Sequence, residues 1–142
     1  HEMANLGKLS SWRDSPEGRL AEIIVLDQFS RNIFRDKPEA FASDKLALEL
    51  AQECVDSGDD LKLDKTKRNF VYMPYMHSES LEVHEEAVKI FKERSDEGTY
   101  KYEIKHKVII EKFGRYPHRN DILGRESTAE EIEFLKKPGS SF

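Results

Sequence analysis

Residues 106–128, HKVIIEKFGRYPHRNDILGREST, decide what kind of molecule this is. An apolar run at helical spacing, with His106, Ile109, Ile110 and Phe113 on one stripe that begins at Tyr102, stops at Gly114, the natural left-handed residue after a helix. A dense polar knot follows: Arg115, His118, Arg119, Asn120 and Arg125 fall within eleven positions, broken by Pro117 and Gly124. Thr128 and Glu131 then have the spacing of a capping box, which opens a further helix holding Ile132, Phe134 and Leu135. Helix, cap, polar turn and helix again is the grammar of an all-α chain, and the turn is where such a chain would hold a ligand.

The helical period extends back towards the start of the chain. Leu81, His84, Val88 and Phe91 form a stripe expected to end near Gly98. A helix opening near Asp64 carries Phe70, Val71 and Met73, and Pro74 should kink or stop it by removing a backbone donor. Pro38 begins another, whose Phe41, Ala47, Leu48, Leu50, Ala51, Cys54 and Val55 make a broad apolar face that Gly58 ends. Ser15-Pro16-Glu17 combines an N-cap, a first-turn proline and a first-turn acid, so a helix runs from there to about Phe34. Trp12 is expected to pack over its start. On one face of that helix Leu20, Ile24, Asp27, Arg31 and Arg35 line up, placing an acid and two arginines beside the core. No segment alternates with β-branched residues, so strands are not expected. The predicted fold is all-α, built of antiparallel helical hairpins with short loops. The 142 residues are the size of one domain, with only the tail 138–142 expected to be loose.

Composition narrows the function classes. The apolar fraction is 37% and the charged fraction 36%, which suits amphipathic helices with salt-laced outer faces. The longest strongly apolar runs, Ile23–Leu26 and Val108–Ile110, fall far short of the roughly 20 residues of a spanning helix. With a net charge of −5 and no Lys/Arg block, a nucleic-acid footprint is missing. Cys54 is the one cysteine and cannot form an internal disulfide, which fits a reducing cytosol. The chain begins His1-Glu2-Met3 with no signal segment after it, and part of the natural start is expected to be missing.

Several motifs resemble those of the bacterial domain-of-unknown-function 924 family. They are Gly18-Arg19-Leu20-Ala21, Leu26-Asp27-Gln28-Phe29, Arg31-Asn32, Phe34-Arg35, Tyr72-Met73-Pro74 and Met76-His77-Ser78-Glu79. Phe113-Gly114-Arg115, Pro117-His118-Arg119-Asn120, Leu123-Gly124-Arg125 and Ser127-Thr128 continue the likeness. The resemblance implies an all-helical fold similar to tetratricopeptide-repeat hairpins and supplies no reaction. It also implies an N-terminal helical segment that this sequence does not include, and His84 stands where the family often has Gln.

Two constellations carry possible chemistry. Arg31, Arg35, Arg115, Arg119 and Arg125, with Asn32 and Asn120 beside them, offer guanidinium forks suited to a carboxylate or phosphate. In the structural alternative, Asp27, Asp44, Glu79 and Glu111 neutralise these arginines and lock helix pairs together. The second set is Asp27, His77, Glu79 and His118, which could serve as general acids and bases. His77 and His118 adjoin helix breaks, where chemistry tends to sit, whereas His84 and His106 lie on apolar stripes as core histidines. No histidine spacing suits zinc and no glycine loop cradles phosphate, so neither a metal nor a cofactor is expected. Cys54, on an apolar face, reads as an inert thiol.

Three functions remain open. The first is a cytoplasmic module binding an anionic small molecule or peptide carboxylate through Arg31, Arg35, Arg115, Arg119, Asn32 and Asn120. The second is a hydrolase-like enzyme using Asp27, His77, Glu79 or His118. The third is a scaffold whose charges only set packing. Apolar surface left bare would favour a homo-oligomer, and neither nucleic acid nor membrane is an expected partner.

Overall fold

The computed structural model describes residues 1–142, which are helical in nearly every segment. The helices are α1 (Glu2–Asn5), α2 (Pro16–Ile24), α3 (Ser30–Ile33), α4 (Asp44–Ser57), α5 (Lys65–Met76), α6 (Leu81–Arg94), α7 (Glu97–Phe113), α8 (Asn120–Leu123) and α9 (Ala129–Leu135). Short 3-10 turns at Ser10–Asp14, Pro38–Phe41, Asp59–Lys62 and Pro117–Arg119 connect them. No helix is long and apolar enough to cross a membrane.

The core lies between α2, α4, α5 and α6, where Ile23, Leu26, Ala51, Cys54, Val71, Tyr72, Tyr75 and Phe91 are buried together. A smaller cluster of Ile109, Ile110 and Tyr116, flanked by Phe113 and Phe134, seats the polar knot on α7 and α9. Asp60, wholly buried, ties the end of α4 to α5 and α6 by accepting from Tyr72 Oη at 2.6 Å and Arg94 Nη1 at 2.9 Å. A buried acid is tolerated because both donors reach it.

The caps behave as their chemistry requires. Ser15 Oγ accepts from Gly18 N at 3.0 Å, Asp64 caps α5 through Lys67 N, and the Thr128–Glu131 capping box closes in both directions. Gly114 and Gly124 take the left-handed conformation, at φ +70° and +65°.

Local structure departs from the sequence reading at four places. The first long helix is widened at Val25–Phe29 into a π turn, where the side chains of Ser30 and Arg31 bond the Leu26 and Asp27 carbonyls four residues back. Pro74 does not stop α5: its ring is buried in the core and the helix ends only at Met76. α6 ends at Arg94 rather than near Gly98, because Asp96 accepts from Thr99 N at 2.8 Å and starts α7, placing Gly98 in its first turn. Trp12 meets the helix start through its backbone, since a Cβ on Gly18 would meet the Trp12 carbonyl oxygen at 1.8 Å. The tail is not loose: Ser140 is buried and bonds the Leu135 carbonyl, and the Phe142 ring stacks on His106 at 3.7 Å.

Candidate functional site

Arg119, on the Pro117–Arg119 turn, reaches Phe41 of the Pro38–Phe41 turn and the His77 carbonyl at the end of α5, so arginines from opposite ends of the chain meet. Arg31 and Arg119 stand over the same Phe41 ring, at 5.5 and 4.5 Å from its centroid, and both approach Asp44. Phe41, His77 and Arg119 form a wall between two hollows of about 480 Å³ each. The first hollow adds Gln28, Arg31, Asn32, Arg35, His106, Tyr116, His118 and Phe142; the second adds Asp44, Lys45, Ser78 and Glu79.

The arginines divide into two kinds. Arg31 is held at both terminal nitrogens, donating to both oxygens of Asp44 at 2.7 and 2.9 Å and to Asp27 Oδ1 at 3.1 Å. Arg115 forks onto Glu131 at 3.0 and 2.8 Å, and Arg125 onto Glu79 at 3.0 and 3.1 Å. Arg119 is different. It is 5% exposed and sandwiched between Phe41 and Tyr116, yet only Nη2 makes a hydrogen bond, to the His77 carbonyl at 2.8 Å. Its Nε is buried without a partner, and from Nη1 the carboxylates of Asp44 and Glu79 lie 3.8 Å away. Burial holds this guanidinium below its usual pKa, with the charge of Arg31 adding to the effect against Asp44 and Glu79. Arg35, at the rim, is exposed and makes neither ion pair nor hydrogen bond.

Among the acids and histidines, Asp27 and His77 form a pair. Asp27, 1% exposed in the π turn, sits 2.7 Å through Oδ1 from His77 Nδ1 and accepts from Gln28 Nε2 at 2.6 Å. Burial pushes its pKa up, but His77, Arg31 and Gln28 together outweigh that and hold it below the ordinary carboxylate value. Nδ1 therefore carries the hydrogen, and His77 Nε2 makes no bond within the protein. His106, donating Nδ1–H to the Tyr102 carbonyl at 2.7 Å, is lowered to about 4 by burial. His118 is also lowered to about 4, by burial and then by Arg119, and its Nδ1 has no partner. Both rings are neutral at pH 7.

The comparisons with known proteins follow from this geometry. The model of the family described as "Bacterial protein of unknown function (DUF924)" matches residues 1–139. The chain belongs to this family. A solved protein of unknown function from Agrobacterium tumefaciens, ATU0120, superposes with a TM-score of 0.91 at 35% identity, over 96% of this chain and 77% of that one. No curated protein matches.

Within this DUF924 chain the residues expected to form one site separate. Arg31, Arg35, Asn32, His77, His118 and Arg119 line the first hollow, and Asp27 stands behind it. Arg115 and Asn120 lie outside both hollows, and Glu79 lines the second. Arg115 and Asn120 are spent on Glu131, whose pKa the Arg115 bond chiefly lowers to about 2, and Asn120 also accepts from Arg125. Glu79 accepts from Arg125 and from the Tyr116 backbone N–H, and these bonds outweigh burial and hold its pKa below the ordinary carboxylate value. Glu111 pairs with Lys107 instead of with the cluster. The buried His84 completes no site either, lying 2.6 Å from Glu103 Oε1 and 2.7 Å from the Ser78 carbonyl. Sequence reasoning missed Tyr116 and Gln28 and took Phe41 and His106 as plain core. An aromatic inside an arginine knot was the available signal for Tyr116, since guanidinium planes stack on such rings.

Proposed function

We propose that the first hollow binds a small organic anion, its carboxylate or phosphate head taken by Arg119 and its body lying against Phe41, Tyr116 and Phe142. The observation that carries the reading is the buried Arg119 guanidinium with an unpartnered Nε. Buried polar groups are nearly always bonded, and a charge in that state gains more from an anion than an exposed one does. Arg35 at the rim adds a free cation that draws anions in. On this reading the helices are antiparallel hairpins of tetratricopeptide-repeat type in one cytoplasmic domain; connections as short as Ser95–Asp96 between α6 and α7 support the hairpins.

A thermal-shift screen of the full chain tests it with succinate, benzoate and inorganic phosphate as probes. A rise in Tm with at least one of them that is lost in Arg119→Met is expected, and the probe that acts separates carboxylate from phosphate. A flat response to all three would overturn the reading.

A further inference from the structure

We propose that His77 is a general base in this hollow, activating water to hydrolyse an ester whose acyl part carries a second, free carboxylate. The inference rests on Arg119 as the seat of that carboxylate. His77 caps the C-terminus of α5 and lines both hollows, its ring held at Nδ1 by Asp27 with Nε2 left unbonded. Asp27 fixes the tautomer: an ionised, 1%-exposed carboxylate 2.7 Å from Nδ1 accepts the hydrogen there and leaves a lone pair on Nε2. Gln28 and Arg31 in turn fix Asp27, so the carboxylate cannot rotate away. Asp27 is thus a positioning residue and His77 a catalytic one. The charged and titratable groups about the ring are Asp27, Arg31, Arg35, Asp36, Tyr116, Arg119, His106 and His118 on one side and Asp44, Lys45 and Glu79 on the other.

Water is taken as the nucleophile because the first hollow offers no free hydroxyl, thiol or amine. Its lining contains no Ser, Thr, Cys or Lys, and the Tyr116 hydroxyl is committed to the Met76 carbonyl. In the step, Nε2 takes one proton from water as the water oxygen bonds to the ester carbonyl carbon. The imidazolium, stabilised by Asp27, returns that proton to the departing alkoxide as the C–O bond breaks. The products are an alcohol and a dicarboxylic acid, which loses its second proton to solvent.

The test uses mono-4-nitrophenyl succinate with the full chain and with His77→Gln, following 4-nitrophenolate release, alongside the thermal shift given by succinate in the same two proteins. Release above buffer that drops about 100-fold or more in His77→Gln, while succinate still shifts Tm in both, is expected. Release that is absent, or unchanged in His77→Gln, would overturn the role of His77 even where succinate binds. No succinate shift in either protein would overturn the dicarboxylate seat this proposal rests on, while a shift with benzoate or phosphate would leave the proposed anion site standing. Should His77→Gln fail to fold, ¹⁵N–¹H correlation spectra of the wild-type protein at pH 8 decide: hydrogen on His77 Nδ1 is expected, and hydrogen on Nε2 would overturn the proposal.

Discussion

Replacing Arg119 by Met separates a ligand-facing arginine from a structural one. The substitution removes one charge-assisted bond, Nη2 to the His77 carbonyl, whose loss costs about 1.5–3 kcal/mol. It also removes the cation–π contacts with Phe41 and Tyr116, which a methionine sulfur between the same rings replaces at about 0.3–1.5 kcal/mol each. Against this stands the relief of a buried charge with an orphaned Nε, worth about 1–3 kcal/mol for the unmade bond alone. The acids left behind keep their better partners, Asp44 in Arg31 and Glu79 in Arg125. The balance lies within about 1 kcal/mol of zero, or about 4 °C in Tm for a chain of this size. Arg31→Met is the control, because it strips the bidentate partner from Asp44 and one donor from the buried Asp27, and breaking such a pair costs about 3–5 kcal/mol. Its Tm should fall by more than about 12 °C. The assay is a circular-dichroism melt of the three proteins side by side, and an Arg119→Met protein that melts as low as Arg31→Met would refute the distinction.

Acid should destabilise the fold early. His106 and His118 titrate near 4 when folded and near 6.5 when unfolded, so the unfolded chain binds more protons between those values. Stability is therefore full above pH 6.5 and falls by about 2–3 kcal/mol for each ring as pH drops to 4. Urea midpoints measured from pH 7 to 4 should decline steadily, and constant midpoints would contradict the burial of these rings. Gly18→Ala should cost more than about 2 kcal/mol, because the atom it would strike is backbone and no rotamer relieves it; a melt close to wild type would refute the contact. Thr128→Ala should cost about 1 kcal/mol by opening the capping box of α9, readable as a shifted urea midpoint with an unchanged slope.

Much of the helical layout was legible because local chemistry sets it. Ser15-Pro16, Gly58, Asp64, Gly114 and Thr128–Glu131 mark helix ends by backbone preference and short-range bonds, and each acts as one. Asp96 was missed because Gly98 beside it imitates a stop signal. The inward turn of Glu103 was hidden too: periodicity favours the apolar Tyr102, but a buried partner at His84 draws the acid inside and leaves Tyr102 57% exposed. The candidate site was legible as a list of polar residues and not as a division among them. Arg115 and Arg119 are alike in sequence, and only the placement of Glu131 and Glu126 about one, and of two aromatic rings about the other, sets them apart.

The distinction between these two arginines is most directly measured by calorimetric titration of succinate and of inorganic phosphate into wild type, Arg115→Gln and Arg119→Met. Wild type and Arg115→Gln should bind the same anion with affinities within a few-fold, while Arg119→Met should show a loss of at least about tenfold, or about 1.4 kcal/mol. Equal binding by wild type and Arg119→Met, or no binding of either anion by wild type, would contradict a hollow built around the unpartnered guanidinium.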